Sequence, residues 1–326
     1  MSTGICSCET PAFGNMARPN CVIEQKALAF PVIVPRYKAD GTRNTIDLAV
    51  DPLLLLNPAG VAGDYATIGA YIKDKTDNAA WDAQERFYPM PKVENASFER
   101  TETVYETAPS TQKYKLDSGG VRSWKMELWA KDSVFQIYRE LKKFGCSELD
   151  VFYIDVAGAI WGIKDDASTS VIRGYEMSSE TWDVFKDYAT DTTVSKLMVS
   201  FDLENSECEE NSYAITSDEL GYKATALKGL ISGYTSADNT DLSTIVVDVT
   251  TRYGSASTYQ PIVGLLLANF LVVDSLAGAV AVTSVTENPN GTYTLATTAP
   301  MTVTDTYTVN VVDASTYDVA SSSFVA

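Results

Sequence analysis

The 326 residues include 43 acidic and 25 basic side chains, which gives a net charge of −18, and no histidine. The lack of histidine excludes Ser-His-Asp and Cys-His nucleophiles and His-based zinc sites. The acidic balance disfavours a stable complex with nucleic acid, whose phosphates are held by Lys and Arg. The length fits two or three domains, and the apolar fraction of 45% is enough for a sizeable core.

The five cysteines fit no disulfide framework, because their number is odd, and they indicate folding in a reducing compartment. Cys6, Cys8 and Cys21 lie close together without a fourth ligand nearby and are interpreted as free thiols. The first thirty residues lack the pattern of a signal peptide, and the longest apolar run, 262–273, is too short to cross a bilayer. We therefore expect no contact with a membrane.

Eight prolines punctuate residues 1–95. This segment is predicted to be an arm with loops that packs on the domain after it. Residues 27–34 predict an edge strand, a place where Pro31 is tolerated. Residues 79–86 predict one short helix.

Residues 97–107 and 111–116 predict a long hairpin around the Ala-Pro-Ser turn at 108–110. Both faces of its strands carry charges, so the hairpin does not belong in the core of its own domain. We expect it to join a sheet built from several chains. The residues expected to make that contact are Thr103, Val104, Tyr105, Lys113, Tyr114 and Lys115.

Residues 121–129 alternate apolar and polar side chains, as a strand with one buried face does. Residues 132–144 carry apolar side chains at helical spacing, with Asp132 or Ser133 as the cap and Gly145 as the end. Strands are also predicted at 149–156, 159–164, 168–175 and 194–203. The segment 96–235 is thus mainly β, an α+β sandwich with one packed helix.

The composition changes near residue 235, because Arg252 is the only basic residue after it. We place a domain boundary there, with residues 232–241 as the linker. Short strands rich in Thr and Val, predicted at 243–249, 264–273, 279–285, 291–296 and 302–312, indicate a small immunoglobulin-like sandwich over 236–326.

The sequence contains no phosphate-binding glycine loop, G-x-S-x-G elbow or paired C-x-x-C motif. The acidic groups at 165–166 and 204–210 lack the spacing of an EF-hand loop and are interpreted as solvated loops. We expect no catalytic residue, cofactor or metal, and hence no enzyme.

The order of elements in residues 96–205 resembles a bacteriophage major tail protein, the subunit of the tail tube. The resemblance is carried by the hairpin at 97–116, by VRSWKMELW, by DSVFQIYRELKKFG and by LDVFYIDV and VSKLMVSFDL. It implies a virion protein that is assembled in the host cytoplasm. Six copies would form a ring, and stacked rings would bind other tail proteins and conduct DNA as transient, non-specific cargo.

The resemblance also implies that Glu99, Glu102 and Glu106 face the lumen, where an acidic wall lets DNA pass without sticking. Residues 269–297 look like the immunoglobulin-like domain often appended to tail and capsid proteins, so 236–326 is expected to decorate the outside. Two alternatives stay open. One is a tail adaptor or capsid-associated protein. The other is a surface adhesin or carbohydrate-binding module whose C-terminal domain contacts a glycan.

Overall fold

The computed structural model of the chain describes residues 25–100, 104–107, 113–117, 121–129, 135–164, 170–204, 211–254, 259–312, 314 and 316–326, with the backbone alone for 104–107 and 113–117. The chain is mainly β, as predicted, and it forms two compact units. Unit 1 comprises the residues up to Thr76 and Trp81–Lys228, and unit 2 comprises Asp77–Ala80 and Gly229–Ala326.

Unit 1 is built from fourteen described strands and three described α-helices. The strands are β1 (Leu28–Pro35), β2 (Ile46–Asp47), β3 (Tyr88–Pro89), β4 (Asn95–Arg100), β5 (Val104–Thr107), β6 (Lys113–Asp117), β7 (Arg122–Trp129), β8 (Leu149–Asp155), β9 (Ile160–Lys164), β10 (Val171–Arg173), β11 (Tyr175–Glu176), β12 (Asp183–Asp187), β13 (Lys196–Leu203) and β14 (Ser212–Ile215). The helices are α1 (Ile68–Asp77), α2 (Phe135–Lys142) and α3 (Ser217–Leu220).

Two sheets of unit 1 share one apolar core. The larger has the order β2-β10-β9-β8-β1-β3, with β11 beside β8 and β14 beside β9, and the smaller has the order β12-β13-β7-β4. Phe152 from the larger sheet and Phe201 from the smaller belong to the same buried cluster. The core sandwich predicted for 96–235 therefore also includes strands from the segment before it.

The prediction of an edge strand at 27–34 is wrong, because β1 lies between β8 and β3. Pro31 is tolerated there for a local reason. The carbonyl oxygen of Pro31 accepts from the Met90 N–H on the β3 side, and the Pro31 nitrogen faces the same side of the strand. The pairing of β1 with β3 begins only at Val32, so an N–H at position 31 is not needed for it. The segment expected to be an arm with loops thus supplies a fully buried strand over residues 28–34.

The helix predicted at 79–86 is also wrong, since the helix of this region is α1. The carbonyl of Asp82 accepts from the N–H groups of Glu85 and Arg86, and this single turn ends where the Phe87 N–H donates to the carbonyl of Lys75. The chain is pulled into the larger sheet at that point, so the helical pattern is not continued.

Helix α2 lies within the helix predicted at 132–144, and a 3-10 turn at Lys143–Cys146 follows it, so Gly145 lies inside that turn. The proposed caps at 132 and 133 lie outside the described residues. The helix packs beside β12, where the Trp182 indole N–H donates to the Leu141 carbonyl at 2.9 Å. Leu141 is buried, as the predicted apolar stripe requires.

Unit 2 is a two-sheet sandwich with ten described strands. They are β15 (Ile231–Asp241), β16 (Thr244–Gly254), β17 (Tyr259–Pro261), β18 (Phe270–Val273), β19 (Ala279–Val280), β20 (Val282–Glu287), β21 (Thr292–Thr297), β22 (Thr306–Val311), β23 (Tyr317–Ala320) and β24 (Ser322–Val325). One sheet has the order β20-β21-β16-β15-β23 with β17 beside β16, and the other has the order β19-β18-β22-β24.

This strand order is that of an immunoglobulin-like sandwich. With β15, β16, β21 and β20 as strands A, B, E and D, the second sheet supplies strands C, F and G as β18, β22 and β24. The prediction of a linker at 232–241 is wrong, because those residues form most of β15, paired with β16 on one side and with β23 in parallel on the other. The boundary between the units falls at Lys228–Gly229 instead.

Among the residues that the structure describes, no helix is both long and apolar enough to cross a membrane.

Candidate assembly surface

A two-stranded ribbon extends from the smaller sheet of unit 1. Strand β4 pairs with β7 from Asn95 opposite Glu127 to Arg100 opposite Arg122, and β5 pairs with β6 from Val104 opposite Asp117 to Thr107 opposite Lys113. The predicted pairing of the two hairpin strands is therefore confirmed for 104–107 and 113–117, and the predicted turn at 108–110 lies outside the described residues. The base of the hairpin differs from the prediction, because residues 97–100 pair with β7 and not with the strand at 111–116.

The smaller sheet has one face on the core and one face toward solvent, which follows from the strict alternation along β7 and β13. Cross-strand register identifies the residues of the solvent face, called the outward face below. They are Asn95, Ser97 and Glu99 on β4, Ser123, Lys125, Glu127 and Trp129 on β7, Asp183, Phe185 and Asp187 on β12, and Lys196, Met198, Ser200 and Asp202 on β13.

The outward face is net acidic, because these residues include five carboxylates and two lysines, which leaves three negative charges per copy. Lys125 Nζ lies 2.8 Å from Glu99 Oε2, and Lys196 Nζ lies 2.8 Å from Glu127 Oε1. The hydrogen bond from Lys196 holds the pKa of Glu127 below its usual value. The two lysines are thus held by two of the acids, and Lys142 of α2 lies 3.4 Å from Asp183, so the negative field of this face comes mainly from Asp187 and Asp202.

The two edges of the smaller sheet are β4 and β12. All four strands are antiparallel to their neighbours, so β4 and β12 run in opposite directions. Nearly every residue of β4 is exposed. An exposed edge strand presents unpaired N–H and C=O groups to any strand that can pair with it.

A row of aromatic rings crosses the core side of the same sheet. The centroid of Phe98 lies 4.9 Å from that of Trp124, Trp124 lies 5.5 Å from Phe201, and Phe201 lies 5.8 Å from Trp182. Trp182 is covered by α2 at one end of the row. At the other end Phe98 is 48% exposed, whereas its neighbour Trp124 is 8% exposed.

The described members of the predicted site lie on β4 and on the β5–β6 ribbon. Glu99 is on the outward face with its side chain 60% exposed. Glu106 pairs with Tyr114 across the β5–β6 ladder, and Tyr105 pairs with Lys115. Glu102 and Thr103 lie outside the described residues, so of the three glutamates predicted to face a lumen the structure places Glu99 on β4 and Glu106 on β5.

Sequence reasoning missed the second edge of this sheet, because β12 was not predicted. A pattern was available, since Trp182 and Val184 are buried and alternate with the exposed Asp183 and Phe185. The exposed Phe98 was also missed, because exposure at a sheet edge is set by strand order and not by local sequence.

Two of the buried charged side chains of unit 1, Asp150 and Lys75, lie on elements other than the smaller sheet. Asp150 on β8 accepts from Arg36 at 3.0 Å and from Arg43 at 2.9 Å. Burial raises the pKa of Asp150 to about 6, and the two guanidinium groups oppose that rise. Arg36 and Arg43 both lie in the segment between β1 and β2, so the cluster is interpreted as a contact that fixes this segment to β8.

Lys75 on α1 is enclosed by aromatic rings. Its ammonium lies 4.5 Å from the ring centroid of Trp81 and 5.3 Å from that of Tyr71, and 3.5 Å from a carboxylate oxygen of Glu85. Burial lowers the pKa of Lys75 to about 8. This cluster joins α1 to the segment that follows it.

Of the acidic groups considered as calcium sites, residues 165–166 and 205–210 lie outside the described residues, as do Cys6, Cys8 and Cys21. In the part of the chain that the structure describes, no group of three or more Cys, Asp or Glu side chains could hold a metal ion. No protein-family model matches the chain, and no curated protein matches it.

Proposed function

We propose that this chain is a non-catalytic structural subunit that assembles side by side with copies of itself, as a ring of a bacteriophage tail tube. The observation that carries the proposal is the smaller sheet of unit 1, which has four antiparallel strands and two edges of opposite direction that no other described strand covers. When two copies stand side by side in the same orientation, β4 of one faces β12 of the next in the antiparallel sense. The sheet can then continue from copy to copy without a break.

Head-to-tail contacts form a ring when the rotation from each copy to the next adds up to a full turn. The continuous sheet then closes on itself. Closure also removes every free edge, the feature that makes exposed strands prone to uncontrolled pairing. Six copies with four strands each would give 24 strands. That number exceeds the 16–18 strands that leave an aqueous channel in porins, so such a ring has an open centre.

The ribbon and the charge of the outward face support the DNA-conducting role. In the ring the outward face lines the centre, and each copy adds three negative charges to that wall. DNA binds proteins mainly through phosphate contacts with Lys and Arg, so this wall offers it little to hold. The ribbon carries Lys113 and Lys115 on β6 and Glu106 on β5 beyond the sheet, where it can pair with a neighbouring copy.

The test is assembly of the purified chain, followed by negative-stain microscopy and sedimentation velocity. Rings or tubes with a central hole are expected. Deletion of residues 103–113, which removes β5 and the tip of the ribbon, should leave a folded chain that no longer polymerises. A wild-type chain that stays monomeric and binds glycans would favour the adhesin instead, and normal tubes from the deletion variant would exclude a role for the ribbon.

A further inference from the structure

We propose that Phe98 anchors the contact between copies by packing on a cluster of Phe135, Lys186 and Tyr188 in the next copy. This inference rests on the proposed function and names the residues that would make the contact specific. It starts from the aromatic row, which is closed by α2 at Trp182 and open at Phe98. Because Phe98 lies on the core side of an edge strand and is 48% exposed, we place its cover in the neighbouring copy.

The partner residues follow from the geometry of strand pairing. In an antiparallel pair, opposing residues point to the same face of the sheet. Ala96 and Phe98 are on the core side of β4, and Val184 and Lys186 are on the core side of β12. Val184 is fully buried and Lys186 is partly exposed, so we place Lys186 opposite Phe98.

The surroundings of Lys186 suit an aromatic partner. Its ammonium lies 3.9 Å from the ring centroid of Phe135 and 5.7 Å from that of Tyr188. Both rings are exposed in the isolated chain. A ring of Phe98 from the next copy would add a third aromatic face around this cation and cover the two exposed rings. A cation attracts an aromatic face more strongly once water is removed. Since the cation is on β12, this contact favours pairing of β4 with β12 of the next copy over pairing of β4 with another β4.

A charge exchange tests this contact with the full chain. Phe98→Lys places two ammonium groups opposite each other at every interface, and the concentration needed for assembly should rise roughly tenfold or more, the change that 1.4 kcal/mol per contact produces. Lys186→Glu in the same chain should restore assembly, because each interface then pairs opposite charges. Tyr37→Lys is the matched control, since Tyr37 is 44% exposed and lies outside the smaller sheet, in an isolated bridge with Arg43, and it should assemble like the wild type.

The outcomes separate the anchor from the proposed function. A wild-type chain that does not assemble removes the proposed function, whatever the variants do. If the wild type assembles and Phe98→Lys assembles equally well, Phe98 is not the anchor. If Phe98→Lys blocks assembly and Lys186→Glu fails to restore it, the partner cluster is wrongly assigned. Lys186→Glu alone should raise the assembly concentration by about threefold, and an unchanged value overturns the inference even if Phe98→Lys does not fold.

Discussion

Reversing the charge of the outward face should make the proposed channel wall bind DNA, where the wild-type wall should not. Glu127→Lys with Asp202→Lys changes each copy by four charges, from three negative to one positive. A ring of six copies would change from eighteen negative charges to six positive ones. Both positions are on the inner strands β7 and β13, so the edge strands β4 and β12, through which the copies are proposed to pair, are left intact.

The size of the effect follows from counterion release. If the new lysines neutralise about three phosphates in a ring, the affinity for DNA should fall about 40-fold between 50 and 200 mM salt, because each neutralised phosphate adds about 0.9 to the slope of log affinity against log salt. The control is Glu127→Gln with Asp202→Asn, which leaves one negative charge per copy and should not hold DNA.

The assay uses assembled particles mixed with fluorescent duplex DNA and then treated with nuclease, so that only DNA inside a lumen survives. The lysine variant should protect DNA at low salt and release it as salt rises. The wild type and the neutral variant should protect none at equilibrium. If the lysine variant assembles and protects no more DNA than the neutral variant, the outward face does not line the channel.

The remaining predictions concern the units and their cores. A chain that ends at Lys228 should be soluble and should assemble. A chain that ends at Asp238 should aggregate, because it retains most of β15 without its partner strands β16 and β23. Equal solubility of the two truncated chains would refute the boundary at Lys228–Gly229. Trp182→Ala should lower the free energy of unfolding by about 3–5 kcal/mol and Trp182→Phe, which loses the bond to Leu141, by about 1 kcal/mol, both measured by urea denaturation. The pKa of Lys75 is lower in the folded chain than in the unfolded chain, so between about pH 8 and about pH 10 the unfolded chain binds more protons. The free energy of unfolding of the wild type should therefore rise with pH relative to that of Lys75→Met. The same pH dependence in both proteins would contradict a buried amine at Lys75.

The strands with one buried face were readable from the sequence, because burial imposes a period of two on β7 and β13. Helix α2 was readable for the same reason at the helical period. Strand β15 was not, since its Ser, Gly, Asp and Asn residues are typical of a linker and its place is fixed by pairing with β16 and β23. Local propensity says little where tertiary pairing decides the structure.

The candidate surface was predicted in part. The polar ribbon follows from charges on both faces of its strands, which exclude burial in one chain. The edge β12 and the open position of Phe98 could not be derived, because both depend on which strands end the smaller sheet. Strand order is a property of the whole fold, and no single segment encodes it.

Hydrogen exchange of β4 and β12 in the monomeric and assembled states tests the central claim most directly. The amide hydrogens at the free edges of β4 and β12 should exchange quickly in the dilute monomer, because these N–H groups face water. Pairing of β4 with β12 of the next copy should slow exchange in peptides 95–100 and 183–187 together, while exchange in unit 2 stays unchanged. Assembled particles in which both peptides exchange as fast as in the monomer would contradict the account.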